Sequence, residues 1–205
     1  MPPAGEEIML PFPAPIEQLG VATHVRSTLL ASSMASLRRH GLYERYVELL
    51  APDQRDDVLS SVAGQWLEMT IGRAHYEACD RLELSALEQF EIGAEVSFKI
   101  HETFLGVVVR MAKNAGVTPW MLLPRGNQMY ARLFMGGGGT RVVQRGPKEA
   151  RVDLVGLPLL DIAYFRQALR GLYQAAVSLF CMQAYVQEIA RDSGPDRVAL
   201  RVAWA

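Results

Sequence analysis

The stretch SALEQFEIGAEVSFKIHETFLGVVVRMAKNA, residues 85–115 of a 205-residue chain, decides how the rest must be arranged. Ser85, with Glu88 three positions on, makes a capping-box pair that predicts a helix opening at Ser85 and running to Ala115. Leu87, Phe90, Ala94, Phe98, Leu105 and Val108, with His101 set among them, form one apolar stripe at helical spacing. Ile92, Val96, Ile100, Val107 and Met111 form a second. Only Glu88, Glu91, Glu95, Lys99 and Glu102 mark a wet side, with Glu95 and Lys99 at the supportive i,i+4 spacing. A helix apolar on two stripes needs partners on both flanks, so it is expected at the centre of the molecule.

Upstream, helical spacing predicts helices over Thr28–Arg39, Tyr43–Leu50, Asp53–Ala63 and Thr70–Leu82, after a short strand at Val21–Val25. Residues Met1–Pro15 carry five of the eleven prolines and read as an extended or disordered lead-in. Downstream the period changes to two. Gln128–Met135 alternates polar and apolar side chains as a strand does. Thr140–Arg145 and Arg151–Val155 continue the meander on either side of a Gly146-Pro147 turn. Pro158 and Asp161 then introduce a helix with Ile162, Phe165, Leu169, Leu172, Ala176 and Leu179 on its buried stripe. Arg197–Trp204 closes the chain as a strand, while Cys181–Ile189 fits a strand or a continuation of the helix equally well. Helices first, then strands with one helix among them, give an α+β fold with an antiparallel sheet, in a single domain over residues 16–205.

Half of the chain is apolar and 21% is charged, a balance outside the disordered range. Twenty-one basic residues nearly cancel 22 acidic ones, which argues against a dedicated nucleic-acid binder. No stretch is long and apolar enough to span a bilayer, and the N-terminus lacks the basic and apolar regions of a signal peptide. Cys79 and Cys181 match no metal or redox spacing. Reduced thiols and no address label imply the cytoplasm.

Residues that carry chemistry are sparse. The run Gly136–Gly139 lacks the following helix and the lysine of a phosphate-binding loop, so it reads as a flexible hairpin connection. His75 and Cys79 share a helix face, but no second ligand pair accompanies them, and both read as core residues. His101, between Phe98 and Leu105, reads as a core histidine bonded to a carbonyl, with an axial haem ligand or an acid–base group as alternatives. Arg125, Arg132, Arg141, Arg145, Lys148 and Arg151 face one acid, Glu149, in 27 residues. That reads as a solvated sheet face, with an anionic partner or self-association through opposite patches as the sharper alternative. Nucleophile-elbow, Ser-x-x-Lys and HExxH motifs are absent.

The order of elements, the segment GPKEARVDLVGLPLLDIAYFRQALRG at Gly146–Gly171 and the terminal VAWA at Val202–Ala205 resemble an uncharacterised myxobacterial paralogous family of similar length. That family is similar to the haem-NO-binding and four-vinyl-reductase-like superfamily, which includes a TRAPP-type trafficking fold. The haem-sensing branch carries a Tyr-x-Ser-x-Arg signature, and no such triplet occurs here. The resemblance thus implies a small α+β ligand-binding or dimerising regulator, with no cofactor assigned. Taken together, the expected function is a non-enzymatic binding module and homodimer. A small apolar or anionic ligand would dock between the Ser85–Ala115 helix and the Gln128–Val155 sheet. His101, Trp120, Arg132 and Tyr164 are the candidate ligand-binding residues. An enzyme using His101 or His75 as acid or base, or a structural subunit of an assembly, is the alternative.

Overall fold

Helix formation starts where the caps are. In the computed structural model, residues 6–62, 64–104 and 118–205 are described, except for the side chains of 98–104. The helices are α1 (Ser27–Arg39), α2 (Tyr43–Leu49), α3 (Arg55–Leu59), α4 (Met69–Asp80), α5 (Ala86–Phe104), α6 (Gly126–Leu133) and α7 (Ala163–Ser178). At the head of α5 the Glu88 carboxylate accepts the Ser85 amide at 2.8 Å and its hydroxyl at 2.7 Å. The Glu88 amide in turn donates to the Ser85 hydroxyl at 3.3 Å, so two backbone N–H groups at the helix start are satisfied reciprocally. The expected continuation of this helix to Ala115 falls on residues 105–117, outside those described.

The strands are β1 (Glu7–Leu10), β2 (His24–Arg26), β3 (Trp66–Glu68), β4 (Phe134–Met135), β5 (Gly139–Gly146), β6 (Glu149–Val155), β7 (Ala184–Glu188) and β8 (Arg197–Trp204). Five of them form an antiparallel sheet in the order β1-β5-β6-β8-β7, and a small second sheet runs β3-β2-β4. The fold is α+β, as the pattern requires. The segment Cys181–Ile189 resolves in favour of a strand, and the proline-rich lead-in supplies the edge strand β1, paired with β5.

One strand assignment is overturned. Residues 126–133 are helical, and only Phe134 and Met135 are extended. The eight-residue alternation there suits a strand equally well, but Gln, Met, Ala, Arg and Leu are strong helix formers. Tyr130 and Leu133, three apart, are the positions this helix buries.

Helix α5 packs between α1 and α7. Of its second stripe, Ile92 and Val96, the members whose side chains are described, are buried. The first is not fully covered, since Leu87 at its start is 65% exposed. Glu95, expected on the wet side, instead binds α1: it accepts from Ser36 at 2.7 Å, Arg39 at 2.6 Å and His40 at 2.9 Å. Burial opposes ionisation of Glu95, but these bonds outweigh it and hold its pKa down to about 2. The α5–α7 crossing is closer than side chains permit. A Cβ at Gly93 would overlap the Ala168 carbonyl oxygen, and one at Gly171 would overlap that of Phe90. The backbones touch there.

Candidate functional site

Between α5, α6, α7 and the inner face of β5 and β6 lies a cavity of about 90 Å³. Each wall follows from its element's period. On α5, Ile92, Gly93 and Val96 share one face; on the sheet, the alternation of β5 and β6 turns Val142, Val152 and Leu154 inward. Helix α6 contributes Met129, Tyr130 and Leu133, and α1 contributes Leu29 and Ser33. Four tyrosines, Tyr76, Tyr130, Tyr164 and Tyr173, are among the lining residues. Burial raises the pKa of all four phenols, so all are protonated at neutral pH.

Position in this wall is set by bonds further out. Tyr164 sits in the first turn of α7, where its otherwise orphaned amide donates to Asp80 of α4 at 2.7 Å. Tyr130 donates its hydroxyl to the Gly137 carbonyl at 3.1 Å, which ties α6 to the glycine run. Those glycines serve close packing as well as turning. Gly136 and Gly138 have φ of 105° and 76°, and a Cβ on Gly138 would collide with the Tyr130 hydroxyl.

Of the four candidate ligand-binding residues, the structure places Tyr164 on the cavity wall. Trp120 stacks edge-on against Trp204 with ring centroids 5.0 Å apart and donates its indole N–H to Pro147 O at 2.9 Å. Arg132 is exposed on α6. His101 lies on the backbone of α5, and its side chain falls outside those described. The residues that sequence reasoning did not nominate, such as Val142, Val152 and Leu154, carried a signal nonetheless: each is an inward position of an alternating strand.

Beside the cavity, His75 and Cys79 are fully buried core residues. The Tyr46 hydroxyl meets His75 Nδ1 at 2.6 Å, and Nε2 faces Cys79 Sγ at 3.8 Å. Burial lowers the His75 pKa to about 3 and raises that of Cys79. A neutral imidazole follows, with Nδ1 as acceptor for the phenol and its proton on Nε2. Among the described residues no group of three or more His, Cys, Asp or Glu could hold a metal ion.

The basic sheet face is charge-paired. Asp153, 6% exposed, receives both Arg141 and Arg151 at 2.7 Å, and Arg151 also reaches Asp192 at 2.5 Å. Arg145 pairs with Glu6 at 2.9 Å and Arg201 with Glu149 at 2.6 Å. Of the acids that match these cations, Glu149 and Asp153 lie on β6 itself, while Glu6 comes from the lead-in and Asp192 from the turn before β8.

The fold has solved counterparts. A variant H-NOX protein from K. algicida, in the Fe(II) unliganded state, superposes with TM-score 0.65 at 9% identity over 88% of this chain and 96% of its own. A mutant of the T. tengcongensis H-NOX gives 0.60 at 13% identity, over 87% and 97%. An oxygen-binding H-NOX domain related to soluble guanylate cyclases gives 0.58 at 14%, over 87% and 94%. The likeness is one of fold. No protein-family model matches the sequence, nor does any curated protein.

Haem is a group known in the H-NOX family, and the described walls do not fit it. A haem needs an axial ligand such as His, Cys, Met or a tyrosinate. Among the described lining residues there is no histidine, cysteine, lysine or arginine; Met129 is there, but with no histidine beside it to complete a Met/His pair. The tyrosines are protonated phenols, and among the described lining residues nothing cationic faces the cavity to meet propionates. Size points the same way: the space of about 90 Å³ between the described walls suits a handful of heavy atoms, far fewer than a porphyrin carries. No step of the function is therefore routed through haem.

Proposed function

We propose that the chain is a non-enzymatic sensor or regulatory module that takes a small apolar ligand into the cavity between α5, α6, α7 and the β5–β6 face. The observation that carries this reading is a buried void with almost wholly apolar walls and a few inward hydroxyls, the form that small-molecule sites share. Protein interiors are packed with few voids larger than a water molecule, so an unfilled one beside backbone-contact helices stands out. A void of about 90 Å³ suits a ligand of a handful of heavy atoms. The H-NOX-like fold supports the reading, as sensing of small molecules is a use to which that architecture is suited. Of the two ligand classes expected from sequence, the uncharged walls favour the apolar one.

The same reading extends to a cytoplasmic homodimer related to the myxobacterial group. Both cysteines are free thiols, and β7 is a sheet edge flanked by the exposed side chains of Met182 and Tyr185. No helix among the described residues is long and apolar enough to cross a membrane.

The test is uptake of xenon and cyclopentane by the intact chain, followed by melting temperature and by NMR shifts of cavity methyl groups. Saturable binding that raises the melting temperature is expected, and Ala176→Leu, which fills the space, should abolish it. Absence of binding by either probe overturns the reading. So does stoichiometric uptake of haemin with a Soret band.

A further inference from the structure

The cavity has one conspicuous polar fault. Tyr164 is 1% exposed, and its hydroxyl has no hydrogen-bond partner. Ser33 and Cys79 lie beside it without completing a bond of good geometry. The contrast with Tyr130 is direct, since that phenol shares the cavity and is bonded to Gly137. Buried hydroxyls in folded chains are nearly always partnered, and an exception calls for an explanation.

Resting on the cavity reading above, we propose that the ligand is a small uncharged molecule bearing one acceptor oxygen, a carbonyl or an ether, and that the Tyr164 hydroxyl selects it. Three features of the cavity lead there. The walls offer no charged side chain among the described residues, so an ionised ligand would lose its hydration without compensation. A phenol is a better donor than acceptor, because its ring draws density from the oxygen lone pairs. Burial raises the Tyr164 pKa well above its ordinary value, which keeps the O–H proton in place. A hydrocarbon of the same size would fill the void but leave the hydroxyl unsatisfied. An acceptor oxygen at that point satisfies it. Tyr164 is thus a specificity-determining residue, anchored by the bond of its own amide to Asp80.

The experiment compares cyclopentanone, cyclopentane and xenon as probes, titrated by NMR into the wild-type chain, Tyr164→Phe and Tyr130→Phe. Removing the Tyr164 hydroxyl should weaken cyclopentanone about ten-fold and leave cyclopentane and xenon unchanged or tighter. Tyr130→Phe should leave the ketone-to-hydrocarbon ratio as it is. In the wild type, the infrared carbonyl stretch of bound cyclopentanone should move to lower frequency, a readout that needs no variant. Equal effects of Tyr164→Phe on ketone and hydrocarbon, or an unshifted carbonyl stretch, overturn this inference while the cavity reading stands. Exclusion of all three probes by the wild type overturns both.

Discussion

At the scale of single residues, the side chain under greatest constraint is His75. It is wholly buried, with a pKa lowered to about 3 by burial, and its Nδ1 is met by the Tyr46 hydroxyl. In the unfolded chain the same imidazole takes up a proton near its ordinary value of 6.5. Between those two values the unfolded state binds the extra proton, so its contribution is neutral to stability above 6.5 and increasingly destabilising below. Unfolding free energy should fall by about 1.4 kcal/mol per pH unit as pH drops from that value toward 3. Urea unfolding of the wild type and His75→Gln across that range checks it, because the substituted chain should lack this component. Tyr46→Phe should cost about 1–3 kcal/mol at neutral pH by stranding a buried ring nitrogen. The sequence placed His75 and Cys79 on one apolar face and so in the core. It did not reveal Tyr46 as the partner, because that contact joins helices 29 positions apart.

At the scale of elements, the α5–α7 crossing governs the interior. Gly93 and Gly171 let two backbones meet, and Phe90 and Ala168 supply the carbonyls against which any added carbon would press. Gly171→Ala should therefore destabilise by about 3 kcal/mol through overpacking, read as a lowered urea midpoint with an unchanged slope. Periodicity made most elements legible. The capping box, the α1 and α4 helices and the strand Arg197–Trp204 all follow from local spacing. The α6 segment did not, since alternation over eight residues is satisfied by a strand and by a short helix with Tyr130 and Leu133 inward. Only tertiary burial separates them. Leu87 stands exposed for a related reason: hydrophobicity says what prefers to be covered, and topology decides whether anything reaches it.

At the scale of the whole molecule, charge and void are both products of long-range assembly. The run of arginines from Arg141 to Arg151 looks like a basic surface in sequence, yet Glu6 and Asp192 are brought to it by the fold, and strand pairing sets Arg141 beside Asp153. Pairing of this kind weakens the case for an anionic partner on that face. The cavity was legible only as a location, between the long helix and the strands. Its size and the missing partner of Tyr164 depend on how five helices close over the sheet, which no spacing rule contains. Among the nominated residues whose side chains are described, Tyr164 lines the cavity, buried in the first turn of α7.

The backbone contact of α5 with α7 has a kinetic corollary. A guest molecule entering by prising that seam apart would break close backbone packing, so its portal is expected on the opposite wall, where α6 is short. There Asn127 acts as a clasp: its Oδ1 takes the Thr140 amide at 2.8 Å and its amide group holds the Pro11 carbonyl at 3.0 Å. Asn127→Ala should quicken both arrival and escape of xenon or cyclopentane, by roughly ten-fold if about 1.4 kcal/mol of clasp is lost, with little change in equilibrium affinity. Exchange-broadened NMR lines measure both rates, and unaltered traffic would place the portal elsewhere.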